Sequence, residues 1–280
     1  MYTFLLSILG FLFVLHATAT DIKKREVLDF VSYGLLSCAL SIRLMWSLLL
    51  GTWDPFLYGL FGFGIFFVLG MIMFYAGQWG GGDTKILFGI GAALGFDGTL
   101  LSPILIFFVL MLLIGSIYGL LYSVALSVQN KKQFIDETHK LWKVPSTKPI
   151  LISAVGIVLL CIIVYRAHES AETFILFSIG LIIGLFTVLI YYIRIVETSC
   201  MLKEVSPLVL TEGDWISQDV VYKGKILCGP KDLGIEKTQI VRLQKLHAQK
   251  KITTVVRKNG IPFVPSLFLA YCGALLFIFL

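Results

Sequence analysis

Apolar runs of about twenty residues recur along this chain, separated by short polar stretches, and that spacing predicts a bundle of membrane helices. Eight such segments are read: Tyr2–Thr20, Phe30–Leu50, Pro55–Gly77, Thr84–Phe96, Pro103–Val128, Pro149–Arg166, Glu172–Arg194 and Ile261–Leu280. The runs are continuous instead of alternating, which favours helices over barrel strands. The fourth is short. Its thirteen residues, at about 1.5 Å each, reach roughly 20 Å against a hydrocarbon core of about 30 Å.

The one sizeable polar stretch, Val196–Gly260, reads as a small cytoplasmic module of α+β character. In "LGIEKTQIVRLQKLHAQKK" the residues Ile235, Ile240, Leu243 and His247 fall near one face of a short helix, with Asp232 before it as the expected N-cap. "KITTVV" is strand-like, and Asn259–Gly260 is a turn signal. About sixty residues is a marginal size for an independent core, so this module is expected to lean on the membrane or the helices. The fold class is therefore an all-α polytopic membrane protein: a bundle of about eight transmembrane helices with a small α+β module.

Composition sharpens this. Hydrophobic residues make up 58% of the 280 positions and charged residues only 14%, a balance that excludes a soluble globular domain. The net charge of +6 acts here as a topology signal, not as a nucleic-acid footprint. The five cysteines (Cys38, Cys161, Cys200, Cys228 and Cys272) are scattered with no C-x-x-C pair, so zinc and redox sites are unsupported and no metal or cofactor is expected. Cys38, Cys161 and Cys272 lie in apolar runs as packing residues, and His16 is expected inside the bundle with its polar atoms satisfied.

The loops set the orientation. "DIKKREVLD" after the first segment is basic, "GTWD" after the second carries no Lys or Arg, and "QNKKQFIDETHKLWKVPSTK" after the fifth carries five lysines. If the fourth segment crosses, every basic loop lands on one side, the cytoplasm. The first twenty residues lack a basic n-region, and their charges follow the apolar run. They are expected to form an uncleaved first helix with the N-terminus outside.

On that topology Asp21 ends the first segment at the cytoplasmic face, and Asp83 opens the fourth on the same face, while Asp54 and Asp97 fall outside. Two carboxylates on one rim suit amide hydrolysis. One takes a proton from water while the other, protonated, donates to the carbonyl oxygen, and like charges held close share a proton. Gly80, Gly81 and Gly82 would let a substrate backbone approach. Lys85 sits roughly opposite Asp83 around a helix and is expected to face lipid headgroups. Against this stands the plainer reading, in which aspartates at helix ends only cap, and Gly91-x-x-x-Gly95 is only a helix-contact spacing.

The two motifs together resemble a known family. "TDIKKREVLD" resembles the first active-site segment of the type IV prepilin peptidases and archaeal preflagellin peptidases, an aspartate followed four residues later by an arginine. "GGGDTKILFGIGAALG" resembles their second segment, G-x-G-D-x-K entering a Gly/Ala-rich helix, and "NGIPFVPSLFLA" resembles the P-F-x-P segment of archaeal members. The resemblance implies an aspartic endopeptidase of the GxGD type. Asp21 and Asp83 would be its catalytic pair, with Gly80, Gly81, Gly82, Lys85 and Arg25 in support. Its partner would be a prepilin or archaellin precursor with a basic leader and an apolar N-terminal helix, cut at the cytoplasmic face of the cell membrane. Nothing matches the four-cysteine insertion of bacterial members, and Asp29 stands where the family has Asn.

Domain organisation follows: residues 1–130 as the catalytic transmembrane region, 131–195 as a cytoplasmic loop and two further helices, 196–260 as the module, and 261–280 as the last transmembrane helix. Two rivals lack their signatures. The presenilin and signal-peptide-peptidase kind pairs G-x-G-D with Tyr-Asp, whereas "FYAG" at Phe74–Gly77 has no acid. A proton- or cation-coupled transporter would place its acids nearer the midplane, in broken helices of pseudo-symmetric halves.

Overall fold

A computed structural model describes residues 2–144, 147–168 and 170–279. All eight apolar segments are helical. They form α1 (Tyr2–Lys24), α2 (Asp29–Leu50), α3 (Asp54–Tyr75), α4 (Gly81–Leu94), α5 (Pro103–Gln129), α7 (Thr147–His168), α8 (Ala171–Val196) and α10 (Val264–Phe279). Two more helices lie in polar stretches, α6 (Lys131–Lys143) and α9 (Lys237–Ala248). Short strands β1 (Leu202–Val205), β2 (Trp215–Ile216), β3 (Val220–Tyr222), β4 (Lys225–Cys228) and β5 (Val255–Lys258) all fall between residues 202 and 258. Among the described residues six helices, α1, α2, α3, α5, α7 and α8, are long and apolar enough to cross a membrane. The chain is a helical membrane protein with a small α+β region.

The chain forms two compact units. The first comprises Met1–Leu120, Pro207–Thr253 and Gly260–Leu280, and the second Leu121–Ser206 and Thr254–Asn259. In the second, α7 and α8 form a helical hairpin in which Gly180 lies against Cys161 and Gly184 against Val158, small residues letting two apolar helices approach. Ser170 opens α8, its hydroxyl accepting from the Thr173 N–H at 3.3 Å. Strands β1 and β5 pair antiparallel, Leu202 opposite Lys258 and Val205 opposite Val255.

The first unit is built around α4. Thr84 and the whole run Ile86–Gly95 are buried, and α1, α2 and α3 pack against it. Glycines bring α3 closest. A side chain at Gly91 would collide with the Gly62 carbonyl, and one at Gly62 would collide with the Gly91 carbonyl, so both backbones need the missing Cβ. The fourteen residues of α4 span about 21 Å, too little for a 30 Å hydrocarbon core. Enclosure by longer helices removes that constraint.

The C-terminal end of α4 is sealed by an arginine from an apolar run. Arg43 on α2, 3% exposed, donates from Nε to the Ala92 carbonyl at 2.8 Å, and from Nη2 to those of Ala93 at 2.9 Å and Leu94 at 3.0 Å. Its Nη1 donates to the Pro55 carbonyl at 3.0 Å. The last carbonyls of a helix have no intrahelical donor, and Ala92, Ala93 and Leu94 are buried, so the guanidinium supplies the bonds.

Three expectations are corrected. His16 lies exposed on the outer face of α1, not within the bundle. Asp232 does not cap α9; its carboxylate accepts from the Gly229 N–H at 3.0 Å, and Glu236 occupies the cap position, its N–H donating to Gln239 Oε1 at 2.8 Å. The lysine stretch after α5 is not all loop, because Lys131–Lys143 is helical.

The Gly62–Gly91 contact generates a stability contrast. Gly91→Ala should destabilise the bundle by about 1–3 kcal/mol through overpacking. Gly64→Ala, where nothing lies within 4 Å of the added methyl, should change stability by less than about 1 kcal/mol. Thermal unfolding in detergent distinguishes them, and equal effects would contradict the packing described.

Candidate active site

Asp21 sits in the last turn of α1 and is 6% exposed. The helix runs one turn beyond the apolar segment because Lys23 and Lys24 are good helix formers whose charges favour the negative C-terminal end of the dipole. It stops at Arg25, whose φ of 60° is the left-handed conformation that commonly ends helices. The Arg25 N–H closes the last bond on the Asp21 carbonyl at 2.9 Å.

Asp83 is the third residue of α4 and half-buried. Its Oδ2 accepts from the Gly80 N–H at 3.3 Å, a bond across the start of the helix that fixes the carboxylate over the glycine turn. The Asp21 and Asp83 carboxylates lie within electrostatic reach of each other. The C-terminal end of α1 and the N-terminal end of α4 thus meet at one end of the bundle. The two motifs, distant in sequence, form one place.

The supporting residues divide. Lys85 does not pair with Asp83, as its place around the helix implies. It does not stand free toward lipid headgroups either, because its Nζ contacts Asp29 Oδ1 at 2.6 Å. Asp29, the residue that departs from the family pattern, is the first residue of α2, so this ion pair ties the start of α2 to the start of α4. Of the glycines, Gly82 is held by packing: a Cβ there would stand 3.1 Å from Val27 Cβ. Gly81 meets only Phe74 at 3.8 Å, ordinary contact.

A third part of the chain enters the same place. The Val264 N–H, at the first residue of α10, donates to Asp21 Oδ2 at 3.1 Å. The Arg25 guanidinium donates to the Gly260 carbonyl, and the Phe263 ring lies 5.6 Å from that of Trp79, the residue before Gly80. The sequence marked this stretch by its resemblance to a P-F-x-P segment, which carries no role with it. The contact to Asp21 has no local signal. Among the described residues no group of three or more His, Cys, Asp or Glu is placed to hold a metal ion.

The Asp29–Lys85 pair is partly solvent-exposed, so its worth is modest. Asp29→Lys or Lys85→Asp alone should lower stability by about 1 kcal/mol or less, and the double exchange should restore most of it. The unfolding midpoint of the four forms measures this, and strictly additive losses would contradict the pairing.

Residues 8–124 match the Type IV leader peptidase family. The preflagellin peptidase of Methanococcus voltae is 37% identical over 84 residues, covering 30% of this chain and 36% of that protein. The preflagellin peptidase of Methanococcus maripaludis is 34% identical over 85 residues, with the same 30% and 36% shares. The chain thus spans about a third of the length of the curated relatives it matches. No solved structure matches it. Over residues 8–124, the stretch that holds Asp21, Arg25, Gly80–Gly82, Asp83 and Lys85, this chain carries the sequence pattern of the Type IV leader peptidase family.

Proposed function

We propose that this protein is a membrane-embedded aspartic endopeptidase that removes the short basic leader from a type IV prepilin-like or archaellin precursor. The observation that carries the reading is that the end of α1 with Asp21 and the start of α4 with Asp83 pack together, bridged by the segment whose Val264 N–H bonds Asp21 and whose Phe263 ring lies 5.6 Å from that of Trp79 beside Gly80. Its location within the stretch that matches leader peptidases supports that substrate class.

The chemistry needs both groups in different protonation states. The ionised carboxylate takes a proton from water as the water oxygen bonds to the scissile carbonyl carbon. The protonated one donates to the carbonyl oxygen, giving a tetrahedral adduct. On collapse the C–N bond breaks, the amine leaves with a proton, and one proton is again shared by the pair. Like charges held close disfavour double ionisation, so the pair begins each turnover singly protonated.

Orientation follows from the basic ends. α1 ends on Lys23 and Lys24, and α5 leads into α6 with Lys131, Lys132, Lys140 and Lys143. Positive residues mark the cytoplasmic side, which puts the two aspartates at the cytoplasmic face and the start of α1 outside. A precursor with a positive leader and an apolar helix orients in the same way, presenting its junction at that rim. Gly81, with only ordinary contacts around it, is the glycine where a substrate backbone can come closest.

Asp21→Asn and Asp83→Asn should each lower precursor cleavage by about a thousandfold or more while membrane insertion is unchanged. Co-expression with a precursor, followed by N-terminal sequencing of the product, reads activity and cleavage position together. Near-original cutting by either variant would overturn the paired mechanism.

A further inference from the structure

The Ile261–Pro265 stretch lies beyond residues 8–124, the range matched to the Type IV leader peptidase family, yet it reaches the Asp21 carboxylate. We infer that Gly260–Val264 is a positioning element of the Asp21–Asp83 site, with the Val264 backbone N–H orienting the Asp21 carboxylate and Arg25 anchoring the segment at Gly260. The inference rests on the proposed role of Asp21, and it concerns a residue that holds the reacting group without itself reacting.

Two links join the segments, and they share one spacing. Asp21 and Arg25 are four apart on α1 and its end, and Gly260 and Val264 are four apart on the opposing segment. Val264 N–H reaches Asp21 Oδ2 at 3.1 Å, and the Arg25 guanidinium reaches the Gly260 carbonyl. A carboxylate with one oxygen so fixed presents the other in a defined direction, whereas a lone Asp at a helix end samples several rotamers.

The sequence explains why this N–H is available. The four residues Pro262, Phe263, Val264 and Pro265 include two prolines, which have no backbone N–H. An N–H in the first turn of a helix has no carbonyl behind it, so that of Val264, buried at 0% exposure, must find a partner outside α10. Pro265 fits that first turn without loss of an intrahelical bond. Asp21 supplies the partner. The Phe263–Trp79 ring contact, at 5.6 Å, carries the same segment to the edge of the glycine turn that fixes Asp83. One short stretch thus touches both halves of the site.

The test measures precursor cleavage by the full chain in detergent, taking kcat and KM separately, with thermal unfolding alongside. Val264→Pro removes the N–H at a position where proline is tolerated, and Val264→Ala keeps the N–H while trimming the side chain. Val264→Pro should lower kcat by about tenfold to a hundredfold with KM nearly unchanged, the scale set by a misplaced reacting group. Val264→Ala should stay within about threefold of the parent. Arg25→Gln should lower kcat by about tenfold, and Arg25→Lys should recover part of it.

Parental kcat in Val264→Pro, or equal losses in Val264→Pro and Val264→Ala, would overturn the inference. So would a loss of unfolding temperature with no loss of kcat per folded molecule. If Val264→Pro does not fold, the Arg25→Gln and Arg25→Lys pair decides: parental kcat in Arg25→Gln overturns the inference, and loss with partial recovery by lysine supports it. The functional reading fails separately. Near-parental cleavage by Asp21→Asn removes that reading, whereas an inactive Asp21→Asn beside an unaffected Val264→Pro removes only the positioning role.

Discussion

A fourteen-residue helix is too short to cross a bilayer by itself, and the arrangement of the first unit depends on how α4 is held among α1, α2 and α3. Its sides are buried against α1, α2 and α3, with Gly62 and Gly91 removing the side chains that would hold α3 away. Its ends carry unsatisfied backbone groups that burial makes expensive. At the C-terminal end Arg43 donates to three successive carbonyls. At the N-terminal end the start is short and open, and Asp83 folds back onto Gly80. A helix fixed so firmly at one end gives its opposite end a defined position. Asp83 occupies that end.

The second carboxylate is placed by different means. Asp21 is the last buried residue of α1, one turn before a left-handed Arg25 ends the helix. Opposing helix polarity then brings three chain ends together: the close of α1, the opening of α4 and the opening of α10. Backbone N–H groups from the two openings reach the two aspartates, Gly80 to Asp83 and Val264 to Asp21. Helix starts favour negative charge, so such a meeting of ends can hold an anion beside a second acid without a metal ligand set. The Asp29–Lys85 pair adds the start of α2 to the same rim.

Much of this is legible in the sequence. Continuous apolar runs are the strongest local signal a sequence carries, and each of the eight became a helix. The two aspartate motifs were visible as short, local patterns, and the match over residues 8–124 covers both. Relations between distant residues were not legible. Arg43 stands in an apolar run, and nothing near it in sequence names Ala92, Ala93 and Leu94 as its acceptors. Val264 contributes through its backbone, so its side chain carries no trace of the bond to Asp21. α6 was hidden by its lysines, though Phe134, Ile135, Leu141 and Trp142 recur at helical spacing within it. Asp232 has the right residue type for a cap, but α9 begins after Glu236, and the Asp232 carboxylate is taken by the nearby Gly229 N–H and the Gln239 side chain.

The central claim is that the two acids work as one unit, one ionised while its neighbour keeps a proton. The pH dependence of kcat/KM for precursor cleavage by the unmodified protein tests this most directly. A unit of that kind predicts a bell, with an acid limb where the ionised partner is lost and an alkaline limb where the shared proton is lost. A rate that rises once and then stays level through alkaline pH would show that a single ionisation suffices, and would contradict the claim.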